Sequence, residues 1–134
     1  MKTPFQQRCN DLKLFYLILG GAAGTVSRYA LSAVVHENVG HGFPYGTLVV
    51  NALGCFVIGA LSTLNEGNFL LDDNMKMLLA VGFCGAFTTF STFILETSHL
   101  AKGGESLRAI FYIAISILAG VVAFIAGHRL GKFI

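Results

Sequence analysis

Residues 82–93, Gly-Phe-Cys-Gly-Ala-Phe-Thr-Thr-Phe-Ser-Thr-Phe, place hydroxyls at Thr88, Thr89, Ser91 and Thr92 among the phenyl rings of Phe83, Phe87, Phe90 and Phe93. The whole motif lies inside a long apolar segment. A helix that only had to sit in lipid would be filled with Leu, Ile and Val. Dense hydroxyls and glycines at bilayer depth point to irregular backbone, a polar track or a tight helix–helix contact. Asn51, five residues into another apolar segment, offers two N–H donors. Tyr112 and Ser116, one helical turn apart, add two more hydroxyls, and Arg28 adds a positive charge. Phe90 and Phe93 share a helical face, and a ring presents a positive edge that can meet a small anion. The set is rich in donors and poor in carboxylate, so it suits an anion better than a cation. Each member also has a plainer use. Asn51 could bond another helix, the phenyl rings could pack in a core or against lipid, and the hydroxyls could bond back to the preceding turn. Arg28 could reach to the headgroups.

Enzyme chemistry has little support. The sequence holds no nucleophile–base pair, no phosphate-binding loop and no HExxH metal motif. Cys55 and Cys84 lie in apolar segments and Cys9 stands near the N-terminus, an odd number that reads as buried small hydrophobes plus one free thiol. His36 and His41 share a loop, where solvation explains them better than a metal does.

The elements that must position these groups are membrane helices. Of the 134 residues 54% are hydrophobic and 12% charged, and the mean hydropathy is +0.70. A chain with so little charge cannot cover itself with a polar surface. The net charge of +2 carries no basic cluster, so nucleic acid is not an expected partner. Four spans are expected, at about 14–35, 46–64, 75–95 and 107–130, each near the ~20 residues a crossing needs. Lys2, Arg8 and Lys13 precede the first, but that run is too long for a signal-peptide core and is read as retained. Short links rich in Gly, Asp and Pro join the spans, so residues 1–134 read as a single membrane domain. Gly20 and Gly24 on the first span, and Ala119, Ala123, Gly127 and Gly131 on the fourth, have the spacing that lets helices approach closely. Lys2, Arg8, Lys13, Lys76, Arg129 and Lys132 fall on the side of the termini, against Lys102, Arg108 and Arg28 on the other, which favours termini inside. Glu96, at the end of the third span, is expected at the same face as Arg28 and could pair with it.

Three motifs in order carry a resemblance. Residues 20–29, GGAAGTVSRY, 46–54, GTLVVNALG, with Gly59 following, and 82–93, GFCGAFTTFSTF, resemble the first, second and third helices of the Fluc (CrcB) family of small fluoride channels. The resemblance covers essentially the whole membrane domain. It implies an all-α membrane protein with four transmembrane helices per subunit, the third broken near its middle. It further implies an antiparallel, dual-topology homodimer in the bacterial inner membrane, with two pores along the subunit interfaces. Fluoride would leave the cytoplasm through them passively. Asn51 would donate to the ion, with Thr92 among the hydroxyls beside it. Phe90 and Phe93 would present ring edges, Tyr112 and Ser116 would line the path, and Arg28 would stand near the entrance. Carbonyls of Gly85 and Thr88 from both subunits would cage a structural Na⁺, since carbonyls freed at membrane depth need a partner.

Two other classes compete. A small multidrug exporter needs a membrane-embedded carboxylate to exchange protons for drug, and the first span has none. A non-transporting accessory subunit would account for the small-residue stripes but not for Asn51 and residues 88–92.

Overall fold

The computed structural model describes residues 4–40, 42–63 and 71–133, with side chains from residue 11 onward. Four helical segments in it are long and apolar enough to cross a membrane: Asp11–Val39, Tyr45–Thr63, Asp73–Lys102 and Ser106–Gly131. Leu64, where the second expected span closes, and His41 lie outside the described residues, as do the side chains of Lys2, Arg8 and Cys9.

Helix α1 runs Pro4–Val39 and α2 Tyr45–Thr63. The third segment is composite. A short turn α3, Asp73–Met75, leads into a π-helix, Lys76–Cys84, then a turn α4, Gly85–Phe87. Helix α5 follows at Phe90–Lys102, and α6 spans Ser106–Gly131. The third segment therefore continues past the expected residue 95. It stops where Gly104 takes φ +82°, with Glu105 N–H donating to Leu100 O (2.9 Å) and Gly104 N–H to Ala101 O (3.2 Å). This is a Schellman closure, whose left-handed position favours a residue without Cβ.

Helical dihedrals are interrupted at Thr88 (φ −80°, ψ 157°) and Thr89 (φ −148°, ψ 117°), both in extended conformation. Thr89 then restarts the chain as N-cap of α5, its side chain accepting from Thr92 N–H at 3.3 Å.

Glycines set how closely the helices pack. A Cβ on Gly20 would stand 2.0 Å from Leu78 O, so α1 lies directly on the backbone of the π-helix. A Cβ on Gly127 would stand 2.0 Å from Phe56 O, which brings α6 equally close to α2. Gly127 and Gly131 of the expected stripe thus face α2, and Gly120 approaches Cys55 of the same helix. Lys13 ties α1 to the start of the third segment through Asp73 at 2.8 Å. Gly127→Leu should force α2 and α6 apart. Overpacking of this kind costs roughly 1–3 kcal/mol or more, so the purified variant should lose its symmetric elution peak. A variant that elutes and melts like the parent would contradict this packing.

Candidate functional site

The site begins with the backbone interruption. A continuous helix would aim Thr89 N–H at Gly85 O. Here it donates to Asn51 Oδ1 at 2.8 Å, while Asn51 Nδ2 donates to Thr89 O at 3.0 Å. Asn51 on α2 thus pairs both ends of its amide with one backbone unit on the third segment. At bilayer depth water cannot supply these bonds, so a side chain must. One N–H of the amide remains for another acceptor. Thr92 N–H likewise turns to Thr89 Oγ1 instead of Thr88 O. The carbonyls of Gly85 and Thr88 are thereby left without the N–H groups a continuous helix would bring them. A cavity of about 300 Å³ opens beside both residues, lined also by Gly54, Ile58, Ala80 and the two free thiols of Cys55 and Cys84.

The hydroxyls divide into two groups. Thr88 Oγ1 bonds back to Cys84 O at 2.9 Å, the plain use open to it in the sequence. Thr89, Ser91 and Thr92 instead form a cluster, with Thr89 Oγ1 3.0 Å from Thr92 Oγ1 and 3.3 Å from Ser91 Oγ. Thr89 and Thr92 share a cavity of about 270 Å³ with Arg28, Thr25, Ser32 and Thr47. The structure therefore brings Arg28 to the hydroxyl cluster.

Glu96 does not pair with Arg28. Its Oε1 accepts from Thr47 Oγ1 and its Oε2 from Tyr112 Oη, each at 2.8 Å, and among the described residues it has no ion-pair partner. One carboxylate thus joins α2, α5 and α6. Two hydroxyl donors offset part of the cost of holding it away from water. It also borders a cavity of about 460 Å³ that it shares with His36, Phe43, His99, Glu105 and Arg108. Sequence reasoning set Glu96 at the edge of a span and passed over Thr47. The available signal was the position of Thr47 four residues before Asn51, on the same helical face.

Tyr112 is completely buried, with the rings of Phe93 and Phe43 at 5.1 and 5.3 Å between centroids. Phe93 is 9% exposed and Phe90 74%, their centroids 5.8 Å apart. The two phenyl rings therefore differ in surroundings. Phe93 packs on Tyr112, and Phe90 projects outward. Ser116, one turn beyond Tyr112, has a buried Oγ with no hydrogen-bond partner among the described residues. An O–H buried without an acceptor is costly and rare enough to need an explanation.

The four apolar spans, the second to fourth tied to one another by polar bonds of Asn51, Thr47, Glu96 and Tyr112, define a multi-pass membrane protein. Its sequence matches the family model described as CrcB-like protein, camphor resistance (CrcB), over residues 15–128, and the chain belongs to that family. A relative from Solidesulfovibrio magneticus is 42% identical over 122 residues, covering 91% of this chain and 98% of the relative. One from Nitrosococcus oceani is 41% identical with the same coverage. One from Azobacteroides pseudotrichonymphae is 41% identical over 121 residues, 90% of this chain and 97% of its own. Each of the three is named a fluoride-specific ion channel, FluC.

Proposed function

We propose that this chain is a fluoride-selective ion channel, not an enzyme, that lets fluoride leave the cytoplasm passively and so protects the cell from its toxicity. The observation that carries the reading is near-full-length likeness, at 42% identity, to relatives named as fluoride-specific channels. The geometry agrees with it. Asn51 keeps one N–H beyond its pair with Thr89, Ser116 Oγ has no acceptor among the described residues, and Arg28 shares a cavity with Thr89 and Thr92. Fluoride is small and strongly hydrated, so its lost water must be replaced by closely placed donors, as in other narrow filters.

In this reading the chain is one membrane domain of the bacterial inner membrane. It pairs with a second copy as an antiparallel, dual-topology homodimer with two pores at the interfaces. The exposed ring of Phe90 supports an arrangement in which a partner completes the path. Arg28 gathers anions at the entrance, with Thr92 and Asn51 beyond it. Phe90 and Phe93 present ring edges, and Tyr112 and Ser116 form the polar line on α6. The third helix is broken near its middle, where Gly85 and Thr88 from both subunits hold a structural Na⁺. The donor set fits such an ion, because both carbonyls lack their helical N–H partners and a hard cation takes oxygen ligands. Bound there, Na⁺ would supply the positive charge that these carbonyls need.

Growth tests the function. A bacterium stripped of its own fluoride export should regain growth in millimolar fluoride when it expresses this chain; no rescue by protein present in its membrane would contradict the reading. The Na⁺ assignment has its own test. Purified protein should melt several degrees higher in sodium chloride than in N-methylglucamine chloride at equal ionic strength. Equal midpoints would remove the ion.

A further inference from the structure

Helices α2 and α6 touch backbone to backbone where Gly59 meets Phe124 and Gly127 meets Phe56. Toward the other membrane face they enclose a groove of about 670 Å³ between Tyr45 and Leu48 of α2 and Arg108, Phe111 and Ile115 of α6, with Phe43 from the preceding loop in its lining. Chemistry changes with depth along it. Arg108 is near the start of α6, Tyr45 and Phe111 are 38% and 59% exposed, and the deeper lining is Leu48 and Ile115. Ile115 lies about 10 Å along the helix axis from Arg108, at 1.5 Å per residue. Along α6 the groove thus runs from a cation at Arg108 past an aromatic rim at Phe111 to an apolar lining at Ile115.

We propose that this groove binds a phospholipid of the surrounding bilayer with a net anionic headgroup, its phosphate on Arg108 and its upper acyl chain against Leu48, Phe111 and Ile115. Amphiphiles with this order of charge and hydrocarbon fit basic pockets between membrane helices. Arg108 already donates to Glu105 Oε2 at 2.5 Å, but the pair is solvent-facing, with side chains 62% and 44% exposed. An exposed pair of this kind holds weakly. A guanidinium has five N–H donors, so one bond to Glu105 leaves the rest of the fork for phosphate. Asn51, Thr89 and Ser116 are not among the residues that line the groove, and the proposal stands whether or not the chain passes fluoride.

The chain has no Trp, so Phe111→Trp gives a single fluorescent reporter at the rim. The variant would be reconstituted in mixed phosphatidylglycerol–phosphatidylcholine vesicles with brominated acyl chains on one lipid or the other. Brominated phosphatidylglycerol should quench about five-fold more effectively at equal mole fraction, the order of preference one basic residue gives. Adding Arg108→Gln should bring the two lipids level. Adding Lys102→Gln, on an exposed residue outside the groove lining, should leave the preference in place. Equal quenching by both lipids in the reporter alone, or a preference that survives Arg108→Gln, would overturn the proposal. So would quenching by neither lipid, which would mean that a second copy of the chain covers the groove. Ile115→Trp serves as reporter if Phe111→Trp does not fold.

Discussion

Replacing Asn51 with Ala should all but abolish fluoride release, about 100-fold or more, and lower thermal stability at the same time. The amide accepts from Thr89 N–H and donates to Thr89 O, so its loss strands a backbone donor and an acceptor together. Each unpaired buried group costs roughly 1–3 kcal/mol. The extended conformation at Thr88 and Thr89 loses the side chain that stabilises it. Asn51→Asp separates the structural contribution from the conducting one. An ionised carboxylate still accepts from Thr89 N–H but cannot donate to Thr89 O, and it sets a negative charge beside an anion path. This variant should lose less stability than Asn51→Ala and still conduct poorly. Melting of both variants, with fluoride release measured on the same preparations, checks the pair. Normal flux through Asn51→Asp at neutral pH would take Asn51 off the path.

The second large effect is expected at Phe93. Phe93→Ile should cut fluoride release by about ten-fold, roughly 1.4 kcal/mol, while the protein still elutes as the parent does. Isoleucine keeps apolar bulk beside Tyr112 but removes the ring edge that a small anion could meet. Phe90→Ile should also reduce flux, with a smaller effect on stability, because that ring is 74% exposed. If both variants fold and conduct like the parent, ring edges are not part of the path.

The four spans were legible because apolar length is a direct demand of the bilayer. The ends of the second and fourth fall within one residue of the helices, but those of the first and third were not legible. Helix α1 begins at Pro4 and α5 continues to Lys102, since a helix stops at a capping signal such as Gly104 and not where hydropathy falls. Glu96 was misplaced for the same reason. Its charge suggested the edge of a span, yet the helix continues beyond it and turns it inward to Thr47 and Tyr112. Asn51 and residues 88–92 were legible as polar groups that lipid does not tolerate. That the partner of Asn51 would be the backbone of Thr89 was not, because that bond joins residues 38 apart through a local conformation no side-chain pattern encodes. The π-helix at Lys76–Cys84 left no signal either. Its residues are ordinary apolar ones, and the glycine contacts with α1 that accompany it are set by backbone packing.

The central claim is passive, selective passage of fluoride. It is tested most directly by reconstituting the purified protein in liposomes loaded with fluoride and chloride, with valinomycin balancing charge and an electrode for each anion outside. Fast fluoride release with chloride retained is the predicted result. Retention of both ions by folded protein, or release of chloride as fast as fluoride, would contradict it.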